Sequence, residues 1–355
     1  MLVLGIESSC DETAAALVED GNRVLSNIVA SQVDTHRAFG GVVPELASRE
    51  HLRNICYVVR RAFDEAGRAQ EEIDGIAVTQ GPGLIGSLLV GLSYAKAMAY
   101  ALRRPLVPID HIEGHIRSAF IEHPDIAFPT LALVVSGGHT SLIFSAKADN
   151  YRLIGRTRDD AAGEALDKLA KYLGLGYPGG PVIDRLATEG DPRAFPFSVP
   201  KISDGSLDFS FSGFKTAALR QIEQHGIRPR KRGGRISRAI LDLVASYQQA
   251  IVDTLVRQSA EASRRLQPAS MLLVGGVACN SLLRKSFKAC FENGGDGGPC
   301  SRPTVALPRE IPVYYPSPAF TTDNAAMIAA AGTSKLARAG PLPLDLNAYA
   351  DFRLC

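Results

Sequence analysis

Two histidines four residues apart, in the run Asp110-His111-Ile112-Glu113-Gly114-His115, fall on one face of any helix that contains them and can share one metal ion. A protein metal site takes at least one further ligand. A hard oxygen donor is available far along the chain in Phe320-Thr321-Thr322-Asp323-Asn324-Ala325, where Asp323 stands at the start of an expected helix. Two imidazoles and one carboxylate would leave coordination positions open for water or substrate. The competing reading is two ordinary polar residues on a half-exposed helix. Zinc peptidases also pair histidines at this spacing, in H-E-x-x-H, with a general-base glutamate beside the metal-bound water. Here Glu113 is the third residue of the motif, about 200° round the helix from either histidine, and points away from the shared metal.

The elements that must hold these residues repeat a pattern. Residues 2–6 are a short apolar strand, Ser8-Ser9-Cys10-Asp11-Glu12-Thr13 a polar turn, and residues 14–18 and 23–29 two more strands. The grammar recurs with a strand at 131–135, the turn Ser136-Gly137-Gly138-His139-Thr140, strands at 141–145 and 151–156, and a helix over 161–173. A duplicated hairpin-plus-strand unit is the economical interpretation. Small residues in such turns let backbone N–H groups close on an oxyanion such as a phosphate, although plain hairpin turns have the same composition.

A third glycine-rich turn, Gly275-Gly276, follows a buried strand and leads into a helix beginning near Asn280. It would let a purine or ribose lie on bare backbone, with Asn280 as a polar handle, but close helix-on-strand packing needs the same glycines. The rigid loop Tyr177-Pro178-Gly179-Gly180-Pro181 is preceded by Asp167 and followed by Asp184, carboxylates able to hold ribose hydroxyls or simply to face solvent. Gly81-Pro82-Gly83-Leu84-Ile85-Gly86 matches the dinucleotide fingerprint in its proper strand-to-helix context, so an NAD-dependent enzyme is an alternative. Against it, Pro82 removes an N–H from the phosphate turn, and Asp110 abuts the histidine pair. No G-x-x-x-x-G-K-[ST] occurs.

At 355 residues the chain exceeds the usual single-core size and is expected to form two lobes, 1–110 plus 325–355 and 111–324. Its 39 basic and 37 acidic residues give a net charge of +2, which excludes a strongly basic coat for nucleic acid but permits a local patch. The dense basic run Arg228, Arg230, Lys231, Arg232, Arg235 and Arg238 is that patch. It is broken by proline and glycine and carries no aromatic residue for base stacking, so it reads as a backbone-gripping loop or as solvated surface. Six cysteines without C-x-x-C spacing read as reduced thiols. No export signal and no apolar run near the ~18 residues of a membrane span is expected, hence a cytoplasmic protein with no membrane partner.

Taken together, Gly5-Ile6-Glu7-Ser8-Ser9-Cys10-Asp11-Glu12-Thr13, the run from His36 through Gly40-Gly41-Val42-Val43-Pro44 to Arg49, His111 to His115, Val134 to Thr140, Leu207-Asp208-Phe209-Ser210-Phe211-Ser212-Gly213 and Thr322-Asp323-Asn324 resemble the bacterial TsaD family, tRNA N6-adenosine threonylcarbamoyltransferases, over about residues 2–335. The resemblance implies an α/β protein of actin-like ATPase (ASKHA) fold, two duplicated lobes with mixed sheets flanked by helices and a nucleotide and metal cleft between them. It implies that His111, His115 and Asp323 hold one divalent metal per subunit, Fe2+ or Zn2+. Val134, Val135, Ser136, Gly137 and Gly138 would line the acyl and phosphate part of threonylcarbamoyl-AMP, and Asp167, Gly180, Asp184 and Asn280 the nucleoside; ATP or AMP can occupy the same cleft. The implied reaction transfers the L-threonylcarbamoyl group to N6 of adenosine 37 in tRNAs reading ANN codons, releasing AMP. Asp11 or Glu12 is a candidate acceptor for the amine proton, and Arg228, Arg230, Lys231 and Arg232 candidate contacts to tRNA. A TsaB-like paralogue and a TsaE-like ATPase are the implied partners. The segment 291–309 and the tail 340–355 depart from the family pattern. A metallopeptidase and a non-catalytic nucleotide-binding scaffold complete the alternatives, and a complete metal triad argues against the scaffold.

Overall fold

An unbroken apolar run such as 2–6 has no polar face to offer water, so as a strand it must be covered on both sides. The computed structural model describes all residues except 199–201, 203, 232–233, 293–306, 308, 337–344, 352–353 and 355, so that Arg232, most of segment 291–309 and much of the tail lie outside the described residues. In chain order the first elements are β1 (Leu2–Glu7), β2 (Glu12–Glu19), β3 (Arg23–Ser31), α1 (Val33–Arg37), α2 (Pro44–Ala66), β4 (Gly75–Gly81), α3 (Ile85–Leu102), β5 (Leu106–Asp110) and α4 (His111–Glu122). Next come β6 (Thr130–Val135), β7 (Thr140–Lys147), β8 (Asn150–Arg156), α5 (Ala162–Tyr172), α6 (Gly179–Ala187), α7 (Ser212–Gln224), α8 (Arg238–Leu266), β9 (Ser270–Val274), α9 (Ser281–Phe291) and β10 (Val313–Tyr314). Two helices, α10 (Pro318–Thr321) and α11 (Ala325–Leu336), follow.

The chain divides into two units, Met1–Ile126 with Pro316–Cys355, and Ala127–Tyr315. The first holds a five-stranded sheet in the order β3-β2-β1-β4-β5. Its hairpin strands are antiparallel, while β1, β4 and β5 run parallel. Every residue of β1 is buried. Leu2, Leu4 and Ile6 pack with Ile55, Val58 and Phe63 of α2 and Leu92 of α3. Val3, with Ala14 and Ala16, faces the alanine-rich α11. That helix lies so close that a Cβ on Gly5 would stand 2.2 Å from the carbonyl oxygen of Ala325.

The second unit repeats this connectivity in the order β10-β9-β6-β7-β8. Antiparallel β6-β7-β8 extends into parallel β6-β9-β10, so the expected duplication of a hairpin-plus-strand unit is present as topology. The strand and helix readings hold to within a few residues: the expected helix 161–173 is α5, and the strand after residue 270 runs through a short 3-10 turn, Gly276–Cys279, into α9. Its core joins Leu166 and Leu169 of α5 to Leu243, Tyr247, Ile251 and Leu255 of α8.

Two sequence expectations shift. The boundaries expected at 110/111 and 324/325 fall instead after Ile126 and Tyr315, because α4 packs on α11 of its own unit. Gly114 permits this approach: a Cβ there would meet Ile328 Cδ1 at 2.8 Å. Two helices, α3 and α8, do reach the length and apolar composition of a membrane span. Most of α8 is instead buried in the core of its unit.

Candidate metal centre and its surroundings

Asp110 begins α4. Its side chain accepts hydrogen bonds from the backbone N–H groups of Ile112 (2.9 Å) and Glu113 (3.4 Å), an N-cap that fixes the helix start and so the directions of His111 and His115. Asn324 does the same for α11. Its Oδ1 accepts from Met327 N–H (3.1 Å) and its Nδ2 donates to the carbonyls of Phe320 and Thr322, shaping the turn that carries Asp323.

The contact between α4 and α11 brings the three expected ligands together. Asp323 Oδ1 lies 3.2 Å from His115 Nε2 and 3.6 Å from His111 Nε2. One ligand atom from each residue falls within 4.8 Å of the others. The imidazoles meet edge to face, centroids 4.6 Å apart. His111 and His115 are buried. Among the described residues neither ring nitrogen of His115 makes a hydrogen bond, an arrangement that costs free energy unless some other partner is supplied. Two nitrogens and one oxygen suit a borderline divalent ion and leave positions open, so the residues present fit such an ion.

The field at this point favours positive charge. Burial opposes ionisation of His111, but Asp323 and Glu7 outweigh it and push the imidazole up to about 9. Glu7 is wholly buried too. Desolvation works against its charge, yet the charge of His111 and their hydrogen bond hold its carboxyl below the usual range. Glu7 is a functional residue that sequence reasoning misses. The signal was an acid ending an otherwise unbroken apolar strand.

Glu113 leaves the histidine face, as its position in the motif requires, and pairs with Lys335 of α11 at 2.5 Å. Glu113 is therefore not placed where the H-E-x-x-H pattern puts its general base. In the turn after β1, Ser9 N–H donates to Glu7 Oε1 (2.5 Å), so it is not available to a phosphate. The carbonyls of Ser9, Cys10 and Asp11 accept from Leu84 N–H, His51 Nε2 and Gln32 N–H, which holds the turn rigid. Burial, then the negative charges of Asp11 and Asp323, push Glu12 up to about 10. The glycines of the dinucleotide look-alike serve this packing. A Cβ on Gly83 would meet the Ser9 carbonyl oxygen at 2.5 Å, and one on Gly81 the Tyr349 carbonyl oxygen at 2.2 Å. The places where that fingerprint would admit a pyrophosphate are filled by the chain itself.

In the second unit, Val134 and Val135 end the buried β6. Ser136 closes the turn, donating its N–H to His139 O (2.8 Å) and accepting His139 N–H on Oγ (3.1 Å). Gly137 and Gly138 have open space beside each Cα. Gly275 takes φ +90° against the Val135 carbonyl, which a Cβ would meet at 2.5 Å. The structure groups the polar handles further. Asp167 Oδ1 accepts from the N–H groups of Gly179 (2.6 Å) and Gly180 (3.3 Å) at the start of α6. Asp184, further along α6, accepts from Ser281 N–H (3.0 Å), Ser281 Oγ (2.9 Å) and Gln248 Nε2 (3.2 Å). Gln248 Oε1 in turn accepts from Asn280 Nδ2 (3.0 Å), while Asn280 Oδ1 caps α9. Gln248 and Ser281 are the members that sequence reasoning missed; a glutamine buried mid-way along the apolar α8 was the available signal.

The basic run is partly structural. Arg230 donates its backbone N–H to Leu173 O (2.9 Å) and its Nε to Gly234 O (2.7 Å). Arg228 is exposed and Lys231 likewise.

A family model described as tRNA N6-adenosine threonylcarbamoyltransferase (TsaD) matches residues 23–330. Relatives that carry the same description include one from Anaeromyxobacter sp. (strain Fw109-5), 51% identical with all of both chains covered. Another, from Koribacter versatilis, is 47% identical over 99% of each chain. Among solved structures, HypF from T. kodakarensis covers 94% of this chain and 48% of its own at 15% identity and a TM-score of 0.56. Component A of the Acidaminococcus fermentans (R)-2-hydroxyglutaryl-CoA dehydratase covers 95% and 100%, at 13% identity and a TM-score of 0.51. These likenesses carry the fold alone, that of the actin-like ATPases.

Proposed function

Since the chain belongs to the tRNA N6-adenosine threonylcarbamoyltransferase family, we propose that it takes the L-threonylcarbamoyl group from threonylcarbamoyl-AMP and places it on N6 of adenosine 37 in tRNAs reading ANN codons. The observation that carries this reading is the meeting of buried His111 and His115 with half-buried Asp323 in a chain matched to relatives of that family over its whole length.

An exocyclic adenine amine is a weak nucleophile, so the carbamoyl carbon must be made electrophilic and AMP a good leaving group. His111, His115 and Asp323 would hold a divalent ion, Fe2+ in the first place and Zn2+ in the second. Its contribution when bound is Lewis-acid polarisation of the donor's oxygens. The open backbone of Gly137 and Gly138, on a turn fixed by Ser136 and continuous with Val134 and Val135, would donate to the acyl and phosphate oxygens. Asp167 with Gly180, and Asp184 with Asn280 through Gln248, form the nucleoside-binding set. The N6 nitrogen bonds to the carbamoyl carbon as the bond from that carbon to the AMP phosphate oxygen breaks, and N6 loses one proton. Asp11 or Glu12, side by side in the turn after β1, is assigned as the acceptor. Arg228 and Lys231 supply phosphate contacts. A TsaB-like paralogue and a TsaE-like ATPase assist, and the work is done in the cytoplasm.

The test is transfer of label from threonylcarbamoyl-AMP carrying radioactive threonine to unmodified ANN-decoding tRNA, with partner proteins present. Wild type should label adenosine 37, and His111→Ala and Asp323→Ala should lose at least about a hundredfold, the scale of removing a principal electrostatic stabiliser. Equal labelling by wild type and both variants would remove the metal from the mechanism, and labelling at another nucleotide would overturn the assigned acceptor.

A further inference from the structure

Glu7 is a fully buried carboxylate that the reaction above does not use. Its Oε1 accepts the Ser9 N–H at 2.5 Å. Its Oε2 accepts the Thr79 hydroxyl at 2.7 Å and lies 3.1 Å from His111 Nδ1. The other nitrogen of that ring, Nε2, is the one turned toward Asp323. A neutral imidazole carries one proton, and the partner of one nitrogen decides which lone pair the other presents. We propose that Glu7 is a positioning residue: it keeps the His111 proton on Nδ1 and so commits Nε2, with its lone pair, to the metal. The proposal rests on the metal reading of the triad and deepens it by one shell.

The hydrogen-bond pattern makes the claim sharp, because an isosteric change inverts it. In Glu7→Gln one carboxylate oxygen becomes an NH2. Placed at Oε1, the NH2 would face the Ser9 N–H, a backbone donor that cannot turn away. It must therefore sit at Oε2, where the Thr79 hydroxyl can rotate to accept from it. His111 Nδ1 then faces a donor and has to accept, which moves the ring proton to Nε2 and onto the metal side. Side-chain size hardly changes, so the variant alters proton placement and leaves packing alone. The Ser9 hydroxyl, 3.2 Å from the same Nδ1, is a second contact but carries no charge to bias the tautomer, so Ser9→Ala serves as the comparison.

The experiment measures Zn2+ affinity of the full-length protein by competition with a chromophoric chelator, together with 15N resonances of His111 in the zinc-loaded protein. Wild type should show a protonated Nδ1 and a metal-bound Nε2. Glu7→Gln should bind Zn2+ at least about tenfold more weakly, as loss of an outer-shell partner does elsewhere, while the metal-free variant still unfolds cooperatively, at a melting temperature lowered by loss of the buried Glu7–His111 pair. Ser9→Ala should bind within about threefold of wild type, an effect well below the outer-shell scale. Should Glu7→Gln fail to fold, Glu7→Asp, which keeps the anion but withdraws it by one methylene, must also weaken binding. Glu7→Gln affinity within twofold of wild type, or a His111 bound through Nδ1, would overturn the proposal. Wild type with no affinity for Zn2+ or Fe2+ would instead bring down the metal reading beneath it, a result distinct from any difference between variants.

Discussion

Glu113 stands between the two histidines in sequence and apart from them in space, its carboxylate held by Lys335 at 2.5 Å. It is a structural acid. Glu113→Gln is expected to leave threonylcarbamoyl transfer within about threefold of wild type and to lower stability by about 2 kcal/mol, the scale of one hydrogen bond to a charged partner. Chemical denaturation and the transfer assay check the two halves, and a hundredfold loss of turnover with an intact fold would overturn the structural role. Residues were legible in the sequence where spacing carried the chemistry. His111 and His115 announce a shared face through the helical repeat, and Asp323 stands at a helix start, where an acid is conspicuous. Glu7 and Gln248 were not legible, because each does its work by meeting a residue distant in sequence, His111 in one case and Asn280 in the other.

Among the elements, α7 shows how one acid can anchor a helix from outside it. Asp159 accepts from the N–H groups of Phe211 (2.7 Å) and Ser212 (3.2 Å) and from the hydroxyls of Ser210 and Ser212 (2.6 Å each). Burial disfavours its charge, but these donors outweigh burial and hold the carboxyl below its ordinary value. The unfolded chain then binds the proton more readily than the folded one. The stabilisation is fully present above the unfolded pKa of about 3.9 and is lost as pH falls through the lower folded value. The unfolding midpoint of the wild type should therefore fall more steeply below about pH 4 than that of Asp159→Asn. Parallel midpoint curves from pH 5 to the acid limit would rule Asp159 out as the anchor. The strands were readable because apolar runs bounded by polar turns have few alternatives. The look-alike fingerprint at Gly81 to Gly86 misleads because bare backbone serves equally for a ligand or for another stretch of chain. Here it admits Ser9 and Tyr349.

At the scale of the molecule, a net charge of +2 leaves little general attraction for a polyanion, so tRNA affinity must come from local contacts. Neutralising Arg228 and Lys231 to glutamine should weaken tRNA binding and reduce the slope of log affinity against log salt by about one to two, at roughly 0.7–0.9 for each phosphate that is no longer neutralised. An unchanged slope would make the run ordinary surface. The duplication was legible because both sheets begin with the same hairpin grammar; the unit boundaries were not, since they depend on Gly114 letting α4 settle against α11, a contact between segments some two hundred positions apart. That arrangement also imposes an order on biosynthesis. The strands β1, β2 and β4 leave the ribosome early, but the helix that covers one of their faces, and the Asp323 that meets His111 and His115, are translated only after the whole second unit. A nascent or prematurely terminated chain therefore carries an apolar sheet with one face uncovered, and the first unit can close only after the second has been made.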